Sequence, residues 1–298
     1  MAPDINLTGI IDGNMHSRQQ STSVHAKFGY ISPNSKVNRR FVCPAREVNT
    51  GKYEEHEVVI HNARLAGENF SLETHGFQLV KHHTKVNDFY NLEQVNAIYP
   101  QEIKQLLLEL TGGDLVLDLG TTLRSSQNPR GTIQPAALEA HVDYNEASSK
   151  RLADRMLEQA GHSDFKYSRF MAINLWRVIN DPPQDWPLAL CDGRSVGRED
   201  GIGNVMVRVD EIPDLETMLT MDIPNEDQLP TAFLFLYTPH HRWFYFPNMT
   251  PDELLVFKLY DSEETGAWRV PHGSFHDTTY PDANSRESAE IRTVVYFR

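Results

Sequence analysis

Hydrophobic positions recur at two different periods along the chain. Across residues 92–111, LEQVNAIYPQEIKQLLLELT, Ile103, Leu106, Leu107 and Leu110 fall on one stripe of a helical repeat, and Gly112-Gly113 ends it. That spacing predicts an amphipathic helix. Residues 146–160, EASSKRLADRMLEQA, predict a second helix that stops at Gly161. Residues 54–63, EEHEVVIHNA, read as a short strand, and the first 50 residues, rich in Ser, Asn and Arg, read as extended segments and loops. Later the character changes to short β-rich runs at 170–179, 233–237, 242–246, 254–260 and 291–297. Turn signals such as Asp181-Pro182-Pro183, Cys191-Asp192-Gly193 and Pro247-Asn248 separate them. Short strands with such punctuation predict an all-β sandwich or barrel, with the two helices over one outer face. There is no βαβ alternation, repeat or low-complexity block.

Composition narrows the function classes. The 298 residues suit one large domain, or a core with extensions. A net charge of −13 disfavours nucleic acid and anionic membrane as partners and leaves small molecules and proteins open. Two cysteines, Cys43 and Cys191, make neither a disulfide framework nor a zinc-type pair. The opening MAPDINLTGIIDGNMH reads as neither signal peptide nor anchor, and no apolar run reaches about 18 residues. The cytosol is the default compartment.

Most of the thirteen histidines read as ordinary. His82-His83 and His240-His241 are adjacent, so on a strand each pair splits between two faces and reads as surface or supporting residues. His141-Val142-Asp143 differs, because residues two apart share a strand face. One imidazole and one carboxylate then project together, as two neighbouring corners of an octahedral metal require. A lone His-x-Asp is common by chance; a third ligand from Val270-Pro271-His272-Gly273-Ser274-Phe275-His276 would complete a set. The run from Arg286 to Phe297 reads as a strand with Arg286, Ser288, Glu290 and Arg292 on one face and Ala289, Ile291, Val295 and Phe297 on the other. Charges facing a barrel interior are costly unless paired or meeting a ligand. A guanidinium with a hydroxyl two residues on can hold a carboxylate. Two histidines and one carboxylate leave half the coordination sphere open, which suits iron(II) with 2-oxoglutarate and O₂. Rival readings keep the metal without 2-oxoglutarate, make the chain a zinc-binding or non-catalytic module, or make it a metal-assisted hydrolase. Asn174 and Trp176 share a strand face that can line the cavity, whereas Arg177 on the other face reads as structural. Trp243 and Tyr245 also share a face and are candidates for an apolar substrate pocket.

Taken together, several phrases resemble a known family. They are THGFQLV (74–80), HVD (141–143), INLWR (173–177), PLALCDGRSV (187–196), HRWFYFPNMTPDELLVFKLYDS (241–262), VPHGSF (270–275) and RESAEIR (286–292). The chain resembles the gibberellin-desaturase-like and cephem-methoxylase-related hydroxylase/desaturase proteins, from about Ala66 onward. The resemblance implies a mainly β fold with flanking helices and a double-stranded β-helix (jelly-roll, cupin-like) core. It implies one oxygenase domain, with 1–112 an extension of strands and a helix and 113–298 the core that carries the site. It implies Fe(II) on His141, Asp143 and His272, with His272 preferred over His276. 2-Oxoglutarate would pair with Arg286 and Ser288, with Arg292 a second candidate and Asn174 a further contact. The substrate would be a small organic molecule, hydroxylated or desaturated in secondary metabolism. Tyr144 departs from the short polar residue or Gln common after the His-x-Asp; with Trp176, Trp243 and Tyr245 it is a candidate pocket residue.

Overall fold

Two β-sheets face each other across an apolar interior in a computed structural model that describes residues 21–298 apart from 45, 128 and 130. The opening segment read above as neither leader nor anchor lies outside the described residues. Strands β1 (Ser23–Ile31), β2 (Arg39–Cys43), β3 (Arg46–Asn49), β4 (Tyr53–Asn62) and β5 (Phe77–Lys81) precede helix α1 (Leu92–Thr111). Strands β6 (Leu115–Ser125), β7 (Gln134–Pro135) and β8 (His141–Val142) lead to α2 (Glu146–Gln159). Strands β9 (Arg169–Val178), β10 (Leu188–Cys191) and β11 (Gly201–Arg208) lead to α3 (Leu215–Thr220). Strands β12 (Thr231–Phe235), β13 (Trp243–Tyr245), β14 (Glu253–Asp261), β15 (His272–Ser274) and β16 (Glu287–Phe297) follow. The ten-stranded sheet runs β1-β4-β13-β10-β15-β8-β12-β11-β2-β3, and the six-stranded sheet runs β5-β14-β9-β16-β6-β7. This is the mainly β, jelly-roll architecture expected. Strands from before residue 112 enter both sheets, because β1 and β4 join β13 while β5 joins β14.

Alternation along β9, β14 and β16 decides what each face of the six-stranded sheet meets. Outward, Met171, Ile173, Leu175, Val256, Ile291 and Val295 pack against α1. That helix buries Val95, Tyr99, Ile103 and Leu107, spaced four apart on one face. Asn91 caps its start by accepting from the Gln94 amide, and Gly112 ends it in the left-handed region at φ 69°. Each buried aliphatic side chain there contributes roughly 1.5–3 kcal/mol. Arg177 also points outward, fully buried, with its Nε donating to Tyr99 Oη at 3.0 Å and its Nη2 to His82 Nδ1 at 2.6 Å. It locks α1 to the sheet, in the structural role its face implies.

Inward, Phe170, Ala172, Trp176, Phe257, Val294 and Tyr296 meet Leu188, Leu190, Phe244 and Phe246 of the opposite sheet. Helix α2 does not join α1 on the outer face as the pattern suggested. Its Leu152, Ala153, Met156 and Leu157 belong to the inter-sheet cluster, and Tyr296 Oη donates to Ala153 O at 2.8 Å. An amphipathic stripe says that a helix has a buried side, not which layer receives it. A third cluster lies behind the ten-stranded sheet, where Phe28, Tyr30, Ile60, Val142, Cys191, Trp243, Tyr245 and Phe275 gather. There β1 curls back to β8 through the Gly29–Glu139 bridge. Among the described residues no helix is long and apolar enough to cross a membrane.

Candidate functional site

His141 and His272 are far apart in sequence but directly opposite in the β8–β15 pairing. Directly opposed residues of an antiparallel pair bring their side chains close on one face. The two rings lie 4.4 Å apart between centroids. Val142, between His141 and Asp143, points into the cluster behind the sheet, so its neighbours point toward the inter-sheet space. His141, Asp143 and His272 bring one ligand atom each within 4.8 Å of one another. His276 lies farther along the strand line, its ring 5.1 Å from that of Trp186.

Each histidine is held in one tautomer. His141 Nδ1 donates to Glu139 O at 2.9 Å, and His272 Nδ1 donates to Val270 O at 3.1 Å. A carbonyl can only accept, so both Nε2 atoms keep their lone pairs for a cation. Burial, reinforced by the adjacent His141, pushes the His272 pKa down to about 3, so its ring is neutral at physiological pH. Burial opposes ionisation of Asp143, but the Arg292 guanidinium beside it holds its carboxyl well below the usual range. Two imidazoles and one carboxylate on a common face, with no thiolate, fit an iron(II) ion with open positions.

A second set of polar groups lies on the six-stranded sheet. Arg286 is 1% exposed, and its Nε and Nη2 have no hydrogen-bond partner among the described residues. Ser288 Oγ and both side-chain polar atoms of Asn174 are also buried without partners. The Arg286 guanidinium lies over Trp176 at 5.5 Å, and its backbone N–H donates to Asp185 Oδ1 at 2.8 Å and Ser126 Oγ at 3.0 Å. Burial and the nearby Arg124 lower its pKa to about 10, which leaves it a cation at neutral pH. A buried, unpaired cation costs several kcal/mol unless an anion meets it. The orphaned donors of Arg286 and Ser288 therefore fit a carboxylate such as that of 2-oxoglutarate.

Other residues fall differently from their sequence reading. Arg292 is not free for a cosubstrate, because Asp143 and Glu290 both accept from its guanidinium. Trp243 and Tyr245 lie on the wrong face for the pocket. In register they oppose Cys191 and Ala189, whereas Phe244 opposes Leu190 and Leu190 opposes His272. Trp243 and Tyr245 thus point into the cluster behind the sheet, where Trp243 Nε1 donates to Tyr30 Oη at 2.8 Å. Trp176 does face inward, beneath Arg286. Tyr144 packs at the edge of the same interior; burial and the Asp143 charge push its pKa up to about 12. Of the paired histidines, His241 is buried rather than superficial, against Asp200 at 3.2 Å.

The sequence reading missed Arg124, Ser126 and Asp185. Arg124 opposes Ser288 in register and its Nε donates to Glu290 Oε1 at 3.1 Å. The alternation of β6 carries a weak signal for Arg124; Ser126 and Asp185 sit in loops and carry none. A further group, Glu68, His75 and Asp192, also approaches metal-binding separations. Arg194 and Arg242 reach into it, Arg194 meeting Asp192 at 2.6 Å and Arg242 meeting Glu68 at 2.8 Å, so it is a neutralised ion network. A cavity of about 620 Å³ is lined among others by Tyr53, Leu138, Glu139, Trp186, Ser274 and His276, with the three candidate ligands outside its lining. Two of its lining residues, Glu139 and Ser274, lie two positions from His141 and His272 along the chain.

A family model described as oxidoreductase/YMDC permease-like domain matches residues 28–296. The hydroxylase/desaturase CTB9 of Cercospora beticola is 33% identical over 262 residues, covering 83% of this chain and 78% of that protein. The hydroxylase/desaturase efuI of Hormonema carpetanum is 31% identical over 83% of this chain and 85% of its own. The Fe(II)/2-oxoglutarate-dependent dioxygenase nvfI of Aspergillus novofumigatus is 27% identical over 81% of this chain and 83% of its own. Among solved structures, the iron and alpha-ketoglutarate-dependent endoperoxidase NvfI superposes with a TM-score of 0.76 over 93% of this chain and 98% of that one, at 24% identity. That superposition establishes the shared fold.

Proposed function

The chain belongs to the hydroxylase/desaturase family of Fe(II)/2-oxoglutarate-dependent oxidoreductases, and from that premise we propose that it hydroxylates or desaturates a small organic molecule in natural-product biosynthesis, with iron(II) on His141, Asp143 and His272 and 2-oxoglutarate on Arg286, Ser288 and Asn174. The observation that carries this reading is the unpaired, buried Arg286 cation in the same inter-sheet space as the His-Asp-His cluster. We read the chain as one oxygenase domain, with residues 113–298 carrying the site, and the cytosol as its compartment.

When bound, iron(II) and 2-oxoglutarate would supply the electrons that activate O₂, the oxidant, toward an unactivated C–H bond, with 2-oxoglutarate leaving as succinate and CO₂. This chain's residues do the positioning. His141 and His272 present Nε2 lone pairs fixed by their carbonyl partners. Arg286 and Ser288 meet the distant carboxylate of the cosubstrate with charge-assisted bonds. Phe257, its ring 4.7 Å from that of His272, keeps water from one side. The body of the substrate lies in the 620 Å³ cavity, whose size is ordinary for a small-molecule site. Tyr53, Leu138 and Trp186 supply its apolar walls.

Oxygen consumption by the iron-loaded protein is expected to require 2-oxoglutarate and to yield succinate, with product masses shifted by +16 or −2 for a turned-over substrate. His141→Ala should abolish both signals, and Trp186→Ala should raise KM for the organic substrate with little change in the KM for 2-oxoglutarate. Oxygen uptake without succinate would sink the cosubstrate assignment.

A further inference from the structure

Asp185, in the loop from β9 to β10, is buried against the end of β6 and the start of β16. Its Oδ1 accepts from the Arg286 backbone N–H at 2.8 Å and from Ser126 Oγ at 2.9 Å, and its Oδ2 accepts from Gln127 Nε2 at 2.9 Å. Ser126 N in turn donates to Arg286 O at 2.9 Å. The residue that carries the unpaired guanidinium is therefore held by its own backbone. The main chain of Asp185 reaches the other way. Its carbonyl accepts from Asp277 N at 3.0 Å, and Asp277 stands between His276 and Thr278. Trp186, the residue after Asp185, lines the 620 Å³ cavity together with His276 and Thr278, and the rings of Trp186 and His276 lie 5.1 Å apart. One residue thus grips Arg286 with its side chain and the cavity wall with its main chain. Its charge acts as well: burial and Arg124 push the Arg286 pKa down, and the carboxylates of Glu290 and Asp185 oppose that shift.

We propose that Asp185 is a positioning residue that couples the Arg286 anchor to the wall of the cavity, so that binding of 2-oxoglutarate reshapes the surface offered by Trp186 and His276. The inference rests on 2-oxoglutarate pairing with Arg286. Its physical basis is the cost of a stranded polar group. Arg286 cannot shift its backbone toward an anion and leave Asp185 behind without orphaning a buried N–H. Asp185 cannot move away from Asp277 without orphaning another. Anchor, Asp185 and wall therefore move together. Coupling between two binding sites is reciprocal. A molecule that fills the cavity and fixes Trp186 also fixes the Arg286 backbone, and the organic substrate and the cosubstrate then tighten each other's binding.

Two tryptophans serve as reporters, because Trp176 lies beneath Arg286 and Trp186 stands in the cavity wall. Full-length protein labelled with fluorotryptophan is loaded with zinc(II), a metal that does not turn over, and titrated with 2-oxoglutarate under fluorine NMR. Trp176→Phe and Trp186→Phe assign the signals. In the wild type, 2-oxoglutarate should shift both signals with one midpoint. Asp185→Ala should lose 2-oxoglutarate affinity by about tenfold or more, and its Trp186 signal should stay in place at saturation. Asp185→Asn keeps an acceptor for the Arg286 N–H, and a flipped Gln127 amide accepts from its new donor, so it should recover most of that loss. A merely structural Asp185 would lower the melting temperature of Asp185→Ala and leave its 2-oxoglutarate affinity at the wild-type value; that result would overturn the proposal. The wild type keeps it falsifiable where Asp185→Ala does not fold: a Trp186 signal unmoved while Trp176 responds would overturn it too. If Arg286→Met bound 2-oxoglutarate like the wild type, the cosubstrate reading itself would fail, and the inference with it, by a result distinct from any Asp185 outcome.

Discussion

Among the described residues no hydrogen-bond acceptor meets Arg286 Nε or Nη2, and the proposed function gives those donors an anion to meet. Natural chains keep such a group where function outweighs stability. Arg286→Met is accordingly expected to raise the melting temperature of the metal-free protein, by an amount equivalent to roughly 1–4 kcal/mol. The same variant should lose the thermal shift that 2-oxoglutarate gives the wild type. A lower melting temperature for Arg286→Met would mean that the cation is paired in solution, contrary to this account. Strand parity made the polar row Arg286, Ser288, Glu290 and Arg292 legible, because a period of two needs no tertiary knowledge. The partner of each member was not legible. Arg292 meets Asp143 only because two sheets face each other, and no local pattern encodes that meeting. The same limit explains Trp243 and Tyr245: parity groups them, but it does not say which side of the sheet bears the site.

Among the elements, the short pairing of β8 with β15 sets the distance between the two histidines. Gly273, next to His272, makes that pairing possible by absence of a side chain. A Cβ there would stand 2.7 Å from Glu139 O and 2.7 Å from Phe28 Cζ. Gly273→Ala should therefore push β15 from β8, destabilising by roughly 1–3 kcal/mol and weakening metal binding about tenfold. Leu107→Ala, under α1 and remote from the site, should destabilise by roughly 2–5 kcal/mol and leave the metal affinity of the folded protein unchanged. Equal metal affinity in both variants would separate the strand pairing from the metal site. Helix α1 was legible because its apolar stripe and the Gly112 that ends it are local signals; the cap at Asn91 went unread. Strands β8 and β15, only two and three residues long, carry little periodicity of their own: β8 was read as extended from the His-x-Asp spacing, and β15 was not read as a strand.

For the molecule as a whole, the sequence made the mainly β architecture legible, along with the candidate metal-binding residues that the fold brings together, and left open where α2 and the first strands attach. These depend on long-range burial that no window of sequence contains. Charge also acts at this scale, since Arg124, Glu290, Arg292 and Asp143 form a buried chain from one sheet to the other. Burial alone would raise the Glu290 carboxyl, yet Arg292 and Arg124 lower it from 4.5 to about 2. A depressed folded-state pKa contributes stability that is fully present above the unfolded value and lost as pH falls through the folded one. The metal-free protein is expected to lose stability between about pH 4.5 and pH 2, and Glu290→Gln should flatten that limb in acid titrations followed by circular dichroism. An identical acid limb in the variant would remove Glu290 from the account. Because the histidines belong to one sheet and Arg286 and Arg292 to the other, the active centre exists only while the sandwich is closed. A molecule whose halves drift apart would part the candidate metal ligands, which all belong to the ten-stranded sheet, from the proposed anchor of the cosubstrate, so opening of this fold would disarm the site.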